Sequence, residues 1–255
     1  MTWIIILLFC LLAYGIFVEP HFMRVRQVTI SNTAGLRVAH FTDTHFNWHT
    51  HPRRFLKFSK HMKKTQPDLI LFTGDLFDKV DWAQAHDIDK VKEILVELKA
   101  PLGKFAILGN HDFSDEGNAN YIKTFLREAG FTVLTNQSLT SGAVSLTGLD
   151  DLREGQPNFS MVPEQADFSI LMIHEPDTIL QVEFPEKYNL VIAGHSHGGQ
   201  IRLGSLRLRN DGSKTYDSGL YSLGNGTKLF VNAGIGLTFL PIRFGVPPEI
   251  VYYEI

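Results

Sequence analysis

Cysteine is almost absent from this 255-residue chain. Cys10 is the only one, which excludes a disulfide framework and any metal cage built from thiolates. An excess of positive charge is also missing. Lys and Arg number 24 against 27 Asp and Glu, a formal charge of -3, so a binder working through a broad basic field is disfavoured and nucleic acid is not an expected partner. From Met1 to Val18 no side chain carries a formal charge, and no Lys or Arg precedes Arg24. The basic n-region of a cleaved secretory signal is therefore lacking, and Ala13-Tyr14-Gly15 is only a weak cleavage site. What remains is an apolar-to-small run from Trp3 to Val18. Eighteen helical residues rise about 27 Å, just short of a hydrocarbon core about 30 Å thick. Residues 1–20 are thus expected to form a retained single-pass anchor in the cell membrane, with membrane lipid as a partner. Arg24, Arg26 and Arg37 follow it, and the positive-inside rule places the rest of the chain on the cytoplasmic side.

Beyond the anchor there is no repeat, low-complexity tract or linker, so residues 35–255 read as one domain. Short β-branched or leucine-rich runs recur at Leu36 to Phe41, Leu69 to Phe72, Phe105 to Leu108, Ser169 to Ile173, Leu190 to Ala193 and Leu229 to Val231. Amphipathic helices are predicted at Pro52 to Thr65, Ala83 to Leu98 and Ala119 to Ala129, the last stopped by Gly130. Strands of this length alternating with helices give an α/β layered fold, with short strands and no helix between Phe131 and Asp151.

Polar clusters follow the runs: Asp43-Thr44-His45, Gly74-Asp75, Gly109-Asn110-His111-Asp112, His174 and Gly194-His195-Ser196-His197. Ligands bind outside the carboxyl ends of strands in an open α/β sheet, so the five clusters converge on one crevice. The set is Asp, Asn and His without Cys, which suits divalent Mn, Fe, Zn or Ni. Seven to nine donors exceed the four of a tetrahedral zinc, yet they suit two ions about 3.5 to 4 Å apart with a bridging carboxylate. Such a centre lowers the pKa of a bound water and neutralises phosphoryl charge, which is hydrolytic chemistry.

Asp43-x-His45, Gly74-Asp75-x-x-Asp78, Gly109-Asn110-His111-Asp112, the lone His174 and Gly194-His195-x-His197 resemble, in order and spacing, the calcineurin-like metallophosphoesterases. The resemblance runs from about Arg37 to the C-terminus. The anchor with Glu19-Pro20, the stretch His195 to Gln200 and the tail from Gly234 through Arg243 to Ile250 resemble its small membrane-associated bacterial branch, which includes UDP-2,3-diacylglucosamine pyrophosphatases. It implies a four-layer α/β/β/α sandwich and a metal-activated hydroxide attacking a phosphodiester or pyrophosphate of a lipid-linked, nucleotide-linked or cell-envelope substrate. It also implies two divalent ions, manganese favoured. By position, Asp43, His45 and His197 would hold one ion and Asn110, His174 and His195 the other, with Asp75 bridging. His111 would face the substrate as a catalytic group, Asp112 would fix its tautomer, and Asp78 would orient neighbouring groups. No protein partner is implied. A membrane-tethered nuclease and a metal-binding scaffold without turnover are the alternatives.

Other residues are weighed on their own. His40 within a strand is read as structural, and His49 and His51 as solvated loop residues. In the Pro52–Thr65 helix, Arg53, Lys57, Lys60 and Lys64 share one face and Phe55, Phe58 and Met62 another. The basic face is either a solvated surface or a contact with anionic headgroups. Arg153 is a candidate substrate contact through its fork of donors, and Arg243 a brace for the last strands.

Overall fold

The computed structural model describes residues 2–31, 33–113, 118–204 and 206–255. Helix α1 spans Thr2–Phe17, followed by a 3-10 turn at Glu19–His21. Strands β1 (Arg24–Thr29), β2 (Arg37–Phe41), β3 (Leu69–Thr73), β4 (Lys104–Ile107) and β5 (Thr132–Val133), with β14 (Glu249–Glu254), form a six-stranded sheet in the order β1-β14-β2-β3-β4-β5. A second six-stranded sheet runs β12 (Gly219–Ser222), β13 (Lys228–Val231), β9 (Leu190–Ala193), β8 (Phe168–Met172), β7 (Val144–Gly148) and β6 (Gln137–Ser141). A small hairpin pairs β10 (Arg202–Leu203) with β11 (Leu206–Arg207).

The central strands β2 to β4 pair in parallel, as do β7, β8, β9 and β13. Every residue of β3, β7 and β8 is buried. That explains the near-continuous apolar character of β3 and β8, because a parallel strand covered on both faces has no water side to alternate with, whereas the buried hydroxyls of Ser145 and Thr147 in β7 meet Ser138 Oγ on β6. Helices α2 (Pro52–Thr65), α3 (Val80–Ala85), α4 (Asp89–Val96) and α5 (Asn118–Glu128) cover the outer face of the first sheet, burying Phe55, Phe58, Ile94 and Ile122 against Phe41, Ile70 and Phe72. Between the sheets, Val38, Leu71 and Ile107 meet Leu146, Ile170, Ile192 and Phe230. The second sheet's outer face is closed by 3-10 turns at Pro176–Leu180 and Pro185–Lys187, through Ile179 and Tyr188. The order is helix, sheet, sheet and helical turns, so the fourth layer is built from single turns.

Two sequence-based boundaries are corrected. The strand at Arg24–Thr29 lies before residue 35, yet its parallel pairing with β14 makes it part of the domain. The single helix expected over Ala83 to Leu98 is two, α3 and α4. His86 is extended and stacks on Trp82, and Asp87 Oδ1 accepts from Asp89 N at 3.0 Å, an Asx turn that restarts the chain as a new helix.

Helix α1 is exposed along its apolar length and is a candidate membrane span. Its end is seated on the domain. Arg243 N donates to Gly15 O (3.0 Å), Gly245 N donates to Glu19 Oε2 (2.9 Å), and the Tyr14 ring packs edge-on against Phe244. Lys57 on α2 donates to Phe22 O at 2.8 Å and also to His21 O. That lysine of the basic face therefore holds the anchor junction.

Candidate metal centre

Asp43 and His45 leave the end of β2, Asp75 and Asp78 the end of β3, and Asn110 to Asp112 a 3-10 turn after β4. His174 follows β8, while His195 and His197 follow β9. The facing of the two sheets thus brings residues of five segments together. Ligand atoms of Asp43, His45 and His197 lie within 4.8 Å of one another, and so do those of Asp75, His174 and His195.

In the first set, His197 Nε2 stands 3.0 Å from His45 Nε2 and 3.4 Å from Asp43 Oδ1. In the second, His195 Nδ1 stands 3.3 Å from His174 Nε2 and 3.0 Å from Asn110 Oδ1. Asp75 Oδ2 joins them, 3.3 Å from His45 Nε2 and 3.2 Å from His174 Nε2. Imidazole nitrogens held this close, with buried carboxylates between them, repel unless a proton or cation sits among them. The donor set of carboxylate, amide oxygen and imidazole fits divalent transition ions.

Outer contacts aim the imidazoles. His174 Nδ1 donates to Thr73 O (2.7 Å) and His195 Nε2 to Asp211 O (2.8 Å). The lone pairs are then left on His174 Nε2 and His195 Nδ1, the atoms that face the centre. Burial pushes the Asp43 and Asp75 carboxyls up, but the surrounding imidazoles outweigh it and hold both below the ordinary range. Burial opposes charge on His45, yet hydrogen bonding to Asp43 and Asp78 and the charge of Asp75 push it up to about 10. Positive charge is therefore favoured where the two sets meet. His197 is lowered by burial, with His45 and Arg243 adding repulsion, which keeps its lone pair free.

The backbone is strained at these same positions. Asp43, His45, Asp75, His195 and His197 all have positive φ, between 40° and 64°, a region non-glycine residues rarely occupy. Gly109 has to be glycine for another reason: a Cβ there would overlap the Asp75 carboxylate and the His174 ring.

His111 is half-buried at the edge of the cluster. Its N–H donates to Asp75 Oδ1 (2.9 Å) and its ring Nδ1 lies 2.7 Å from Asp78 O. The expected role of Asp112 as its orienter is corrected here. The Asp112 carboxylate is fully buried and accepts from the N–H groups of Asp75 (2.9 Å), Leu76 (3.1 Å) and Gly109 (3.0 Å). It clamps the β3 and β4 loops together, and Asp78 faces His111 and His45 instead, its Oδ1 3.6 Å from His45 Nδ1. Burial and the Asp75 charge push Asp112 up to about 7, against the pull of those three donors. Arg153 is exposed on a loop held by Asp151, with its charge felt by Asp211 beside His195. His40 is sealed between Tyr253 OH (3.0 Å) and Thr73 Oγ1 (2.9 Å). His49 and His51 are exposed, and His51 caps α2.

Arg243 does more than brace strands. Fully buried, its guanidinium donates to the carbonyls of Ala233 (2.9 Å), Gly234 (3.2 Å), Gly236 (2.8 Å) and Val246 (3.1 Å) and lies 3.4 Å from His197 Nδ1. The held segment in turn touches Asp43, whose carbonyl accepts from Gly236 N at 2.7 Å. No motif spacing signals this, because the partners are backbone atoms.

Residues 36–199 match the family profile described as calcineurin-like phosphoesterase. The metallophosphoesterase YkuE of Bacillus subtilis (strain 168) is 35% identical over 260 residues, covering 95% of this chain and 88% of the relative. The UDP-2,3-diacylglucosamine pyrophosphatase LpxG of Chlamydia trachomatis is 29% identical over 301 residues, covering 91% and 89%. Among solved structures, a dimetal phosphatase from Danio rerio aligns with a TM-score of 0.48 at 9% identity, over 79% of this chain and 88% of that one.

Proposed function

The chain belongs to the calcineurin-like phosphoesterase family and is a metal-dependent phosphoric ester hydrolase, and from that premise we propose that it cleaves a phosphodiester or pyrophosphate bond of a lipid-linked or nucleotide-linked substrate at a membrane surface. The observation that carries the proposal is the pair of ligand sets sharing one carboxylate oxygen, Asp75 Oδ2. In this reading Asp43, His45 and His197 hold one divalent ion, Asn110, His174 and His195 the other, and Asp75 bridges. Manganese is the first candidate, ahead of Fe, Zn and Ni. When bound, the ions supply a water nucleophile at neutral pH and neutralise phosphoryl charge.

The chain's own residues do the rest. Thr73 O and Asp211 O fix two imidazoles by accepting from them, and Asp112 fixes the loops that present Asp75 and Asn110. With its Nδ1–H on Asp78 O, His111 keeps Nε2 for the substrate, where it stabilises a phosphoryl oxygen or delivers a proton to the leaving oxygen. A lipid-linked substrate is supported by α1 and by the name of the LpxG relative. The cytoplasmic side is supported by Arg24, Arg26 and Arg37 following α1, although Arg26 and Arg37 pair with Glu249 and Glu254 at 2.7 Å.

The test is turnover by the full-length protein in detergent, with Mn added and then chelated. Bis-p-nitrophenyl phosphate, p-nitrophenyl phosphate and a UDP-linked acylated sugar are compared in parallel. Hydrolysis that chelation abolishes, fastest on the acylated sugar, is the expected result. Hydrolysis confined to the monoester would contradict the proposal.

A further inference from the structure

Large apolar side chains stand in water around the mouth of the site: Phe239 is 96% exposed, Trp48 75%, Leu206 74%, Leu208 64% and Leu203 56%. A patch of this kind on a folded chain marks a surface that something covers. It rises in two ridges, one on the loop carrying Phe239 and Leu240, the other on the β10–β11 hairpin. Leu240 N donates to Thr238 O at 2.6 Å, closing a three-residue turn with Phe239 at its centre and φ 58°. Such turns are rare and strained, so the loop holds the ring outward at an energetic cost.

Both ridges are tied to the segment on which the anchor sits. Gln200 Nε2 donates to Thr238 O (3.0 Å) and Leu240 O (2.8 Å), Phe244 N donates to Gln200 O (2.9 Å), and Arg202 N donates to Phe244 O (2.7 Å). The same segment, Ile242 to Phe244, packs on Gly15 and Tyr14 of α1. The candidate span runs Thr2–His21, α1 and the turn that follows it, so its C-terminal end and the domain surface packed there lie at the membrane–water boundary. Gly15 lies two residues from the helix end, so the domain surface touching it sits at the depth of the last turn. Beside it, a recess is lined by His21, His49, His51, Arg53 and Arg54 with no acid among them, and Arg54 Nη1 is buried without a hydrogen-bond partner.

We propose that the two ridges are a membrane-docking rim: Phe239, Leu240, Leu203, Leu206 and Leu208 enter the leaflet that holds α1, while Arg53 and Arg54 meet its anionic headgroups. Two cavities open along the ridges, one reaching Asp78 and the other His197, so the docked rim turns the site toward the lipid surface. The inference rests on the membrane-surface reading of the function, but its test needs no turnover, so each can fail alone.

The full chain, with Cys10→Ser, is placed in phosphatidylcholine/phosphatidylglycerol vesicles carrying an environment-sensitive fluorophore on Phe239→Cys, Leu206→Cys or Thr124→Cys. All three positions are exposed, and Thr124 lies on α5 in the helical layer. Quenching by spin-labelled lipid and shielding from aqueous iodide are expected at 239 and 206, and the reverse at 124. Iodide quenching without lipid quenching at 239 and 206 overturns the proposal. Shielding from iodide without lipid quenching also overturns it and assigns the rim to a second copy of the chain.

Discussion

Replacing Arg243 by lysine keeps the charge and removes the fork. Four carbonyls, those of Ala233, Gly234, Gly236 and Val246, accept from one buried guanidinium whose donors point in different directions. Gly234 O also accepts from Glu249 N (3.1 Å), but the other three are reached from separate nitrogens of the fork, and an ammonium, with its three donors at one point, leaves one or two of them without a partner. Each buried unsatisfied acceptor costs about 1–3 kcal/mol, so Arg243→Lys is expected to lose about 2–4 kcal/mol. That is a large share of a typical stability of about 5–15 kcal/mol, and Arg243→Met, which removes the guanidinium from Ala233 O, Gly236 O and Val246 O while Gly234 O keeps Glu249 N (3.1 Å), costs more still. The loss also reaches the site. Arg243 holds Gly236, which donates to Asp43 O, and it lies against His197. Outer contacts of this kind change metal affinity by about 10–100-fold, so the Arg243→Lys variant should bind metal more weakly within its folded range. Thermal unfolding of the full chain in detergent, with and without excess Mn, reads both effects. A midpoint that does not move, together with unchanged metal affinity, would refute the account of Arg243.

His111→Ala should lower kcat by about 100-fold or more, the ordinary weight of a positioned proton donor, while metal content stays at the wild-type value; equal turnover would remove its role. Burial holds His40 down to about 3, well below the ordinary 6.5 of an imidazole. The unfolded chain therefore binds a proton there before the folded chain does. Its contribution to stability is complete above pH 6.5 and is lost as pH falls toward 3, at up to about 1.4 kcal/mol per pH unit. Acid unfolding of His40→Asn should have a shallower slope over that window, and equal slopes would contradict the assignment. Lys57→Gln frees the carbonyls of His21 and Phe22 and should speed proteolysis at the anchor junction, whereas Lys60→Gln with Lys64→Gln should not; identical digestion would show that Lys57 holds nothing there.

Strands β2, β3, β4, β8, β9 and β13 and helix α2 were legible from their apolar runs and periodicity, and the candidate ligands stand at the ends of such strands, whereas β14, inside the first sheet, was not predicted. The break between α3 and α4 was not. It depends on an extended His86 stacked on Trp82, a tertiary contact that helical spacing on either side conceals. Asp112 follows His111 directly, so adjacency pointed to a partnership, yet the turn after β4 directs its carboxylate inward to three N–H groups. The left-handed backbone at Asp43, His45, Asp75, His195 and His197 is imposed by packing around the centre, and residue type gives no sign of it. Strand β1 reads as polar because Arg24 and Arg26 lie on a sheet edge and pair with the buried Glu249.

In the proposed centre one carboxylate, that of Asp75, joins two ligand sets into a site for two ions. Divalent-metal content per chain and turnover, followed during stepwise Mn loading of the chelated protein, separate one ion from two in the wild type and in Asp75→Ala. Two ions per wild-type chain are expected, with activity that rises with the second equivalent and a folded Asp75→Ala variant that holds fewer ions and does not turn over. Full activity with one ion per chain, or after exhaustive chelation, would contradict the two-ion centre.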